Sequence, residues 1–190
     1  DFAFVQHMIY HMDTDGRIAV LLPHGVLFRG NAEETIRKYI VKDLNYLDAV
    51  IGLPANCFQG TSIPVCCLVL KRERNGNSNN ICFIDASKYY TQGKAQNSIS
   101  QEDIDRIVNA YTKRIDIDKF CHIATMEEIE ENDYNLNIPR YVDTFEPEPE
   151  VDLQEVANDI RKVQTEIKDI DKDLKPFFDE LGLDFPFGEK

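Results

Sequence analysis

Apolar residues recur along this chain in two rhythms, helical spacing and short unbroken runs. Phe2, Val5, Ile9 and Met12 fall on one helical face, so residues 2–12 read as an amphipathic helix, ended by the turn chemistry of Asp13-Thr14-Asp15-Gly16. Ile18-Ala19-Val20-Leu21-Leu22, closed by Pro23, is the pattern of a strand buried on both faces, as in a parallel sheet. Asn31 with Glu34 has capping-box spacing and predicts a helix to about Lys42, with Ile36, Tyr39 and Ile40 inward. Residues 47–53, 65–70 and 81–84 are three further apolar strands. The short polar link Asn75-Gly76-Asn77-Ser78-Asn79-Asn80 allows an antiparallel pairing of the last two. Ser100 caps a helix to about Arg114, with Ile104, Ile107, Val108 and Tyr111 inward. Thr125 with Glu128 opens a short helix, and residues 132–145 read as extended and irregular. Strand–helix–strand order with buried runs predicts a layered α/β sheet.

The last segment has the cleanest period. After the stiff acidic linker Glu146-Pro147-Glu148-Pro149-Glu150, residues Leu153, Val156, Ile160, Val163, Ile167, Ile170 and Leu174 step alternately by 3 and 4, an a/d seam that Pro176 is expected to stop. Such a stripe either packs back on its own domain or pairs with another polypeptide; a strict a/d pattern behind a Glu-Pro linker favours the second. In isolation it would self-associate or stay unmated.

Charge sharpens this division. The chain carries a net charge of −13; residues 143–190 hold 15 acids and 6 bases, whereas residues 1–142 are nearly balanced. A free-standing nucleic-acid binder needs a basic surplus, so this chain alone is expected to bind DNA poorly. Cys57, Cys66, Cys67, Cys82 and Cys121 form no C-x-x-C pair, which suits reduced, mostly buried thiols in a cytoplasmic protein. No apolar stretch reaches the ~18 residues of a membrane helix, and no signal peptide is legible. The chain opens on Asp1 directly in a helical pattern, which suggests a piece of a longer protein.

Local motifs for chemistry are sparse. His7 and His11 have metal-ligand spacing, but no third ligand is evident, so they read as a surface or interface pair and no metal site is expected. His24 follows a strand–Pro break and is open to a structural or a functional reading. His122 has no informative context, no motif supports Cys57 or Cys121 as a nucleophile, and neither the P-loop nor the dinucleotide fingerprint occurs. Phe58 sits among small and polar residues in Pro54-Ala55-Asn56-Cys57-Phe58-Gln59-Gly60-Thr61, either as a core cap or as a platform for a planar ligand such as a nucleobase. Arg29, Lys71 and Arg72 are candidate phosphate contacts of low specificity.

Three blocks carry a resemblance over nearly the whole chain: Gly16-Arg17-Ile18-Ala19-Val20-Leu21-Leu22-Pro23-His24-Gly25-Val26-Leu27-Phe28-Arg29-Gly30, residues 51–70, and Glu131-Asn132-Asp133-Tyr134-Asn135-Leu136-Asn137-Ile138-Pro139-Arg140-Tyr141-Val142. Together they resemble the modification (M) subunit of type I restriction-modification systems, an S-adenosylmethionine-dependent adenine-N6 DNA methyltransferase. The third block is the most specific; it would not be expected in an unrelated N6-adenine or RNA methyltransferase. The resemblance implies the C-terminal half of a Rossmann-like, mostly parallel sheet with one antiparallel strand inserted near its end. It thus divides the chain into residues 1–145, part of the catalytic domain, and residues 146–190, a linker and helical coiled-coil arm. The family's Gly-rich loop and Asn/Asp-Pro-Pro-aromatic motif are absent from this sequence. No catalytic residue is therefore expected here, S-adenosylmethionine is expected in the full-length parent and not on this chain, and the isolated chain should be inactive. By similarity Phe58 stacks on the flipped adenine, and Pro23, His24, Gly25, Gly60 and Thr61 border its pocket. The implied partners are the specificity (S) subunit, which would receive the heptad seam, a second M subunit, the restriction (R) subunit, and DNA in the assembled complex. The alternative is an autonomous interaction module acting through its C-terminal helix.

Overall fold

Five strands build one mixed sheet: β1 (Arg17–Pro23), β2 (Leu47–Gly52), β3 (Val65–Lys71), β4 (Asn80–Asp85) and β5 (Cys121–Thr125), in the spatial order β1-β3-β2-β4-β5. The computed structural model describes residues 1–144 and 152–186, in two compact units, Asp1–Phe145 and Glu146–Lys190, and the sheet lies in the first. β3 runs antiparallel to both β1 and β2, β4 is parallel to β2, and β5 is antiparallel to β4. The carboxyl ends of β1, β2 and β4 therefore share one edge of the sheet. The α/β class stands, but the sheet is not mostly parallel: β3, inserted between β1 and β2, and β5, beyond β4, both run against the other three strands.

Helices α1 (Phe2–His11) and α2 (Ala32–Lys38) join the segment after α4 (Met126–Glu131) on one face, around Val5, Leu27, Ile40, Leu70, Phe83 and Ile129. The irregular stretch predicted after residue 132 is core: Tyr134, Leu136, Ile138, Tyr141 and Val142 are buried, and the Tyr141 ring stacks on Phe83 at 3.9 Å. Helix α3 (Gln101–Lys113) covers the other face with Ala110, near Ala49, Ile84 and Phe120. A bulge between Leu47 and Ala49 switches the inward parity of β2, so Leu47 and Val50 share one face.

Several expectations are corrected. β1 is not buried on both faces: it is the edge strand, Leu21 is 47% exposed, and only Leu22 is fully buried. β3 and β4 do not pair; β2 lies between them, and the polar turn carries the chain across it. β5 was not anticipated, being too short and mixed to show a strand pattern. Asn31 takes a left-handed φ of 58° and makes no capping bond, so the predicted box does not form. α2 passes into a π-helical turn, Tyr39–Asp43, which leaves Tyr39 half exposed while Ile40 stays inside. Ile104 and Val108 of α3 face out; Ile107, Ala110 and Tyr111 face in. The Ser100–Asp103 box does form. Thr125 accepts from the Glu128 N–H at 3.2 Å, whereas the Glu128 carboxylate turns to His122. The Glu-Pro linker at 146–150 lies outside the described residues.

In the second unit α5 runs Leu153–Leu181, with Asp152 as its N-cap and Gly182 in the left-handed conformation as its end. Pro176 lies inside this helix instead of stopping it. Proline there removes one backbone donor but leaves the turns on either side intact.

Candidate functional site

Strand direction collects the loops that matter. β1 ends at Pro23, β2 at Gly52 and β4 at Asp85, all on the same edge of the sheet, the edge at which open α/β sheets bind ligands. Pro23 pairs with Val65 and Gly52 with Cys66, so β3 begins between the two loops that follow β1 and β2. Two strand spacings put those loops about 10 Å apart.

Phe58 stands on the loop after β2 with its ring 36% exposed. A tight reversal presents it: the Thr61 N–H donates to the Phe58 carbonyl at 3.5 Å, Gly60 turns through φ +82°, and the Ile63 N–H donates to Thr61 Oγ1 at 3.2 Å. A second loop supports this one. The Asn97 N–H donates to the Asn56 carbonyl at 2.8 Å, Asn97 Nδ2 to the Ala55 carbonyl at 2.9 Å, and Asn56 Nδ2 to the Ala95 carbonyl at 3.3 Å. Phe58 is thus not a core cap, and Gly60 and Thr61 belong to the turn that carries it.

Pro23 ends β1, and His24 and Gly25 lie on the turn that follows it. His24 opens a 3-10 turn, His24–Leu27, and its Nε2 is buried without a hydrogen-bond partner among the described residues. This turn is clamped from below by a residue that sequence reading did not single out. Arg37 is 4% exposed and donates from Nε to the Tyr134 carbonyl at 2.9 Å and from one terminal nitrogen to the carbonyls of Val26 (3.1 Å) and Arg29 (2.8 Å). Burial pulls the Arg37 pKa below its ordinary value, and Glu34, Glu33 and Asp133 oppose that only in part. The Leu136 N–H adds a bond to the Leu27 carbonyl at 2.9 Å. The first and third blocks that carry the resemblance, residues 16–30 and 131–142, are therefore one physical unit, a turn and the strap that holds it.

A profile of the N-6 DNA Methylase family matches residues 1–150.

The chain belongs to the N-6 DNA methylase family.

Within it, the chain is 35% identical over 190 residues to the type I restriction enzyme MpnII methylase subunit of Mycoplasma pneumoniae, covering 96% of this chain and 35% of that protein. It is 36% identical over 189 residues to the MjaVIII methylase subunit of Methanocaldococcus jannaschii, covering 96% and 32%. The chain thus spans about a third of the length of these relatives. Among solved structures, the type I restriction-modification methyltransferase subunit of Streptococcus thermophilus superposes with a TM-score of 0.71 at 56% identity, covering 75% of this chain and 30% of that one. The EcoKI M protein shares the fold, at a TM-score of 0.56 and 18% identity, over 97% of this chain and 47% of its own.

A methylase needs a methyl donor, and the glycines at this edge show whether this chain could cradle one. A Cβ on Gly52 would meet Ile138 Cδ1 at 2.8 Å, and one on Gly25 would meet the Arg29 guanidinium at 2.6 Å. Both close approaches are already filled by the chain's own side chains. Neither of these two glycines leaves an open cradle for S-adenosylmethionine.

At the opposite end of the sheet lies a second constellation not foreseen from sequence. Asp48, on the β2 bulge and fully buried, accepts from Lys71 Nζ at 2.9 Å, Arg74 Nε at 2.9 Å, an Arg114 terminal nitrogen at 3.3 Å and the Tyr111 hydroxyl. Burial alone would raise its pKa; Tyr111, Lys71, Arg114 and Arg74 outweigh that and hold the carboxyl below its usual range. Lys71 is thereby committed to the core. Arg72 lies 5.9 Å over the Tyr46 ring, and Arg29 pairs with Asp1 and Glu33, so the three candidate phosphate contacts all have structural partners. The rings of His7 and His11 meet edge to face at 4.6 Å, and among the described residues no group of three metal-ligating side chains occurs. All five cysteines are free. The seam residues Leu153, Val156, Ile160, Val163, Ile167, Ile170 and Leu174 are 36% to 79% exposed. Among the described residues no helix is long and apolar enough to cross a membrane.

Proposed function

We propose that this chain forms the C-terminal part of the catalytic domain of a type I modification subunit that transfers a methyl group from S-adenosylmethionine to adenine N6 in host DNA, and that α5 is its assembly arm. The supporting observation is Phe58, 36% exposed and carried by two interlocked loops at the carboxyl edge of the sheet. Adenine within a duplex presents its amine inside the stack, so such an enzyme flips the base and needs a surface to receive it. Phe58 supplies that surface by stacking. Pro23, His24 and Gly25 shape the facing wall, and Gly60 and Thr61 aim the ring. Neither the Gly-rich loop nor the Asn/Asp-Pro-Pro-aromatic motif of the family occurs in this chain, so on this reading the donor pocket and the group that orients the amine lie outside it, and the chain alone binds no S-adenosylmethionine and is inactive. The parent works in the cytoplasm with an S subunit that receives the exposed seam of α5, a second M subunit, an R subunit and DNA.

Base–aromatic stacking is worth about 1–3 kcal/mol, so Phe58→Ala in the intact, assembled subunit should slow methylation about 5- to 150-fold. Binding of S-adenosylmethionine, measured by calorimetry, should stay unchanged. Equal methylation rates for mutant and wild type would refute the assignment of Phe58.

A further inference from the structure

The continuity of α5 through Pro176 lengthens its seam and exposes a charge pattern that the shorter helix hides. With Leu153 at position a, Phe177 and Leu181 continue the alternation of 3 and 4 beyond Leu174. Pro176 falls at c, off the seam, so the apolar stripe crosses it unbroken. Both added residues are exposed.

The same lettering sorts every charge that flanks the stripe. The g positions are Asp152, Asp159, Glu166, Asp173 and Glu180, and the e positions are Ala157, Gln164, Asp171 and Phe178. No lysine or arginine occupies either row. The five bases of the helix, Arg161, Lys162, Lys168, Lys172 and Lys175, all fall at b, c or f, on its back. Among the described residues only Asp159 of the g row is in an ion pair, with Lys162 at 3.1 Å, and Asp152 is spent on the N-cap. The seam is thus an apolar stripe with an acidic rail.

Such a rail selects the occupant of the stripe. In coiled coils the e and g side chains set partner and orientation. A parallel second copy would place Glu166 beside Asp171 of its mate, and an antiparallel copy would lay one acidic g row against another. Like charges so placed suppress self-pairing. The α-helices of residues 1–144 present no row of bases: α1 and α4 hold no lysine or arginine, Arg37 of α2 is buried, Lys38 is paired with Glu34 and Asp133, Arg106 of α3 lies over Tyr89 and Phe120, and Lys113 is a single base in the last turn of α3.

We infer that the helix of the different polypeptide that receives α5 flanks its own apolar a/d seam with lysine and arginine. The acidic g row keeps the arm from pairing with its own copies before assembly. This rests on the reading of α5 as a docking arm and specifies the chemistry of the surface that receives it.

The test titrates the 190-residue chain with two synthetic helices that share one Leu/Ile a/d core, one bearing lysine and the other glutamate at every e and g position, by fluorescence anisotropy at low and high salt. The lysine probe should bind about 100-fold tighter at low salt, with the gap closing as salt screens the flanks. The triple variant Asp159→Lys, Glu166→Lys, Asp173→Lys should reverse that preference while keeping its helical circular dichroism. Equal binding of both probes, or a seam-dependent dimer of the chain that excludes the lysine probe, overturns the charge assignment and leaves the docking reading standing. Failure of both probes to bind, or binding of the lysine probe that survives Ile160→Asp with Ile167→Asp, overturns the docking reading and this inference with it.

Discussion

Replacing Arg37 by lysine keeps a positive charge and removes a fork. Arg37 spans three carbonyls on two segments: Val26 and Arg29 in the turn after β1, and Tyr134 in the strap that crosses the sheet. A hydrogen bond with one charged partner contributes about 1.5–3 kcal/mol net. An ammonium at the end of a flexible stem cannot reach carbonyls laid out for a planar guanidinium. If it keeps one bond and loses two, Arg37→Lys costs about 3 kcal/mol at the lower end of that range. Against a total stability of about 5–15 kcal/mol the chain should still fold. With a urea slope near 2 kcal/mol/M, the midpoint should fall by about 1.5 M with the slope unchanged. Hydrogen exchange gives the local readout. The Leu136 amide, bonded to the Leu27 carbonyl at 2.9 Å, should lose protection first, because it joins the same two segments. A midpoint shift below about 0.5 M, with Leu136 still protected, would show that packing holds the turn and that the clamp is incidental.

Two further outcomes follow from buried charge. Asp48→Asn leaves Lys71, Arg74 and Arg114 without their shared carboxylate and should cost about 3–5 kcal/mol in the same urea assay. Because the folded pKa of Asp48 is depressed, its contribution is present above the unfolded value of about 3.9 and lost as pH falls through the folded value, so the wild type should lose acid stability that the mutant never had. His122 shows the opposite sign. Burial opposes its charge, but Glu128 at 2.9 Å and Asp116 at 2.9 Å prevail and raise its pKa. Its contribution is complete below the unfolded value of about 6.5 and fades as pH rises through the folded one, so the urea midpoint should drop across neutral pH, and His122→Gln should flatten that slope.

Where structure is decided within a few residues, the sequence was sufficient. The Ser100 cap, the apolar runs that became β2, β3 and β4, and the heptad period of α5 each depend on neighbours one turn or one pleat away. Phe58 was legible as an aromatic at a strand end, and the first and third resemblance blocks contain the two segments that Arg37 joins. Pro176 misled because its local effect, one missing donor, is small beside a seam that continues on both sides.

Only the tertiary structure decided the rest, because it turns on partners distant in sequence. An apolar run reads alike at the edge of a sheet or at its centre; β1 is an edge among the described residues because β3, some fifty residues on, takes the place between it and β2. Arg37 bonds a carbonyl 97 positions away and Asp48 bonds Arg114 across 66, and nothing in their local sequence separates them from solvated charges. Periodicity reports which side of an element is apolar. What covers that side, and which charges are carried inside with it, depends on how the strands are ordered.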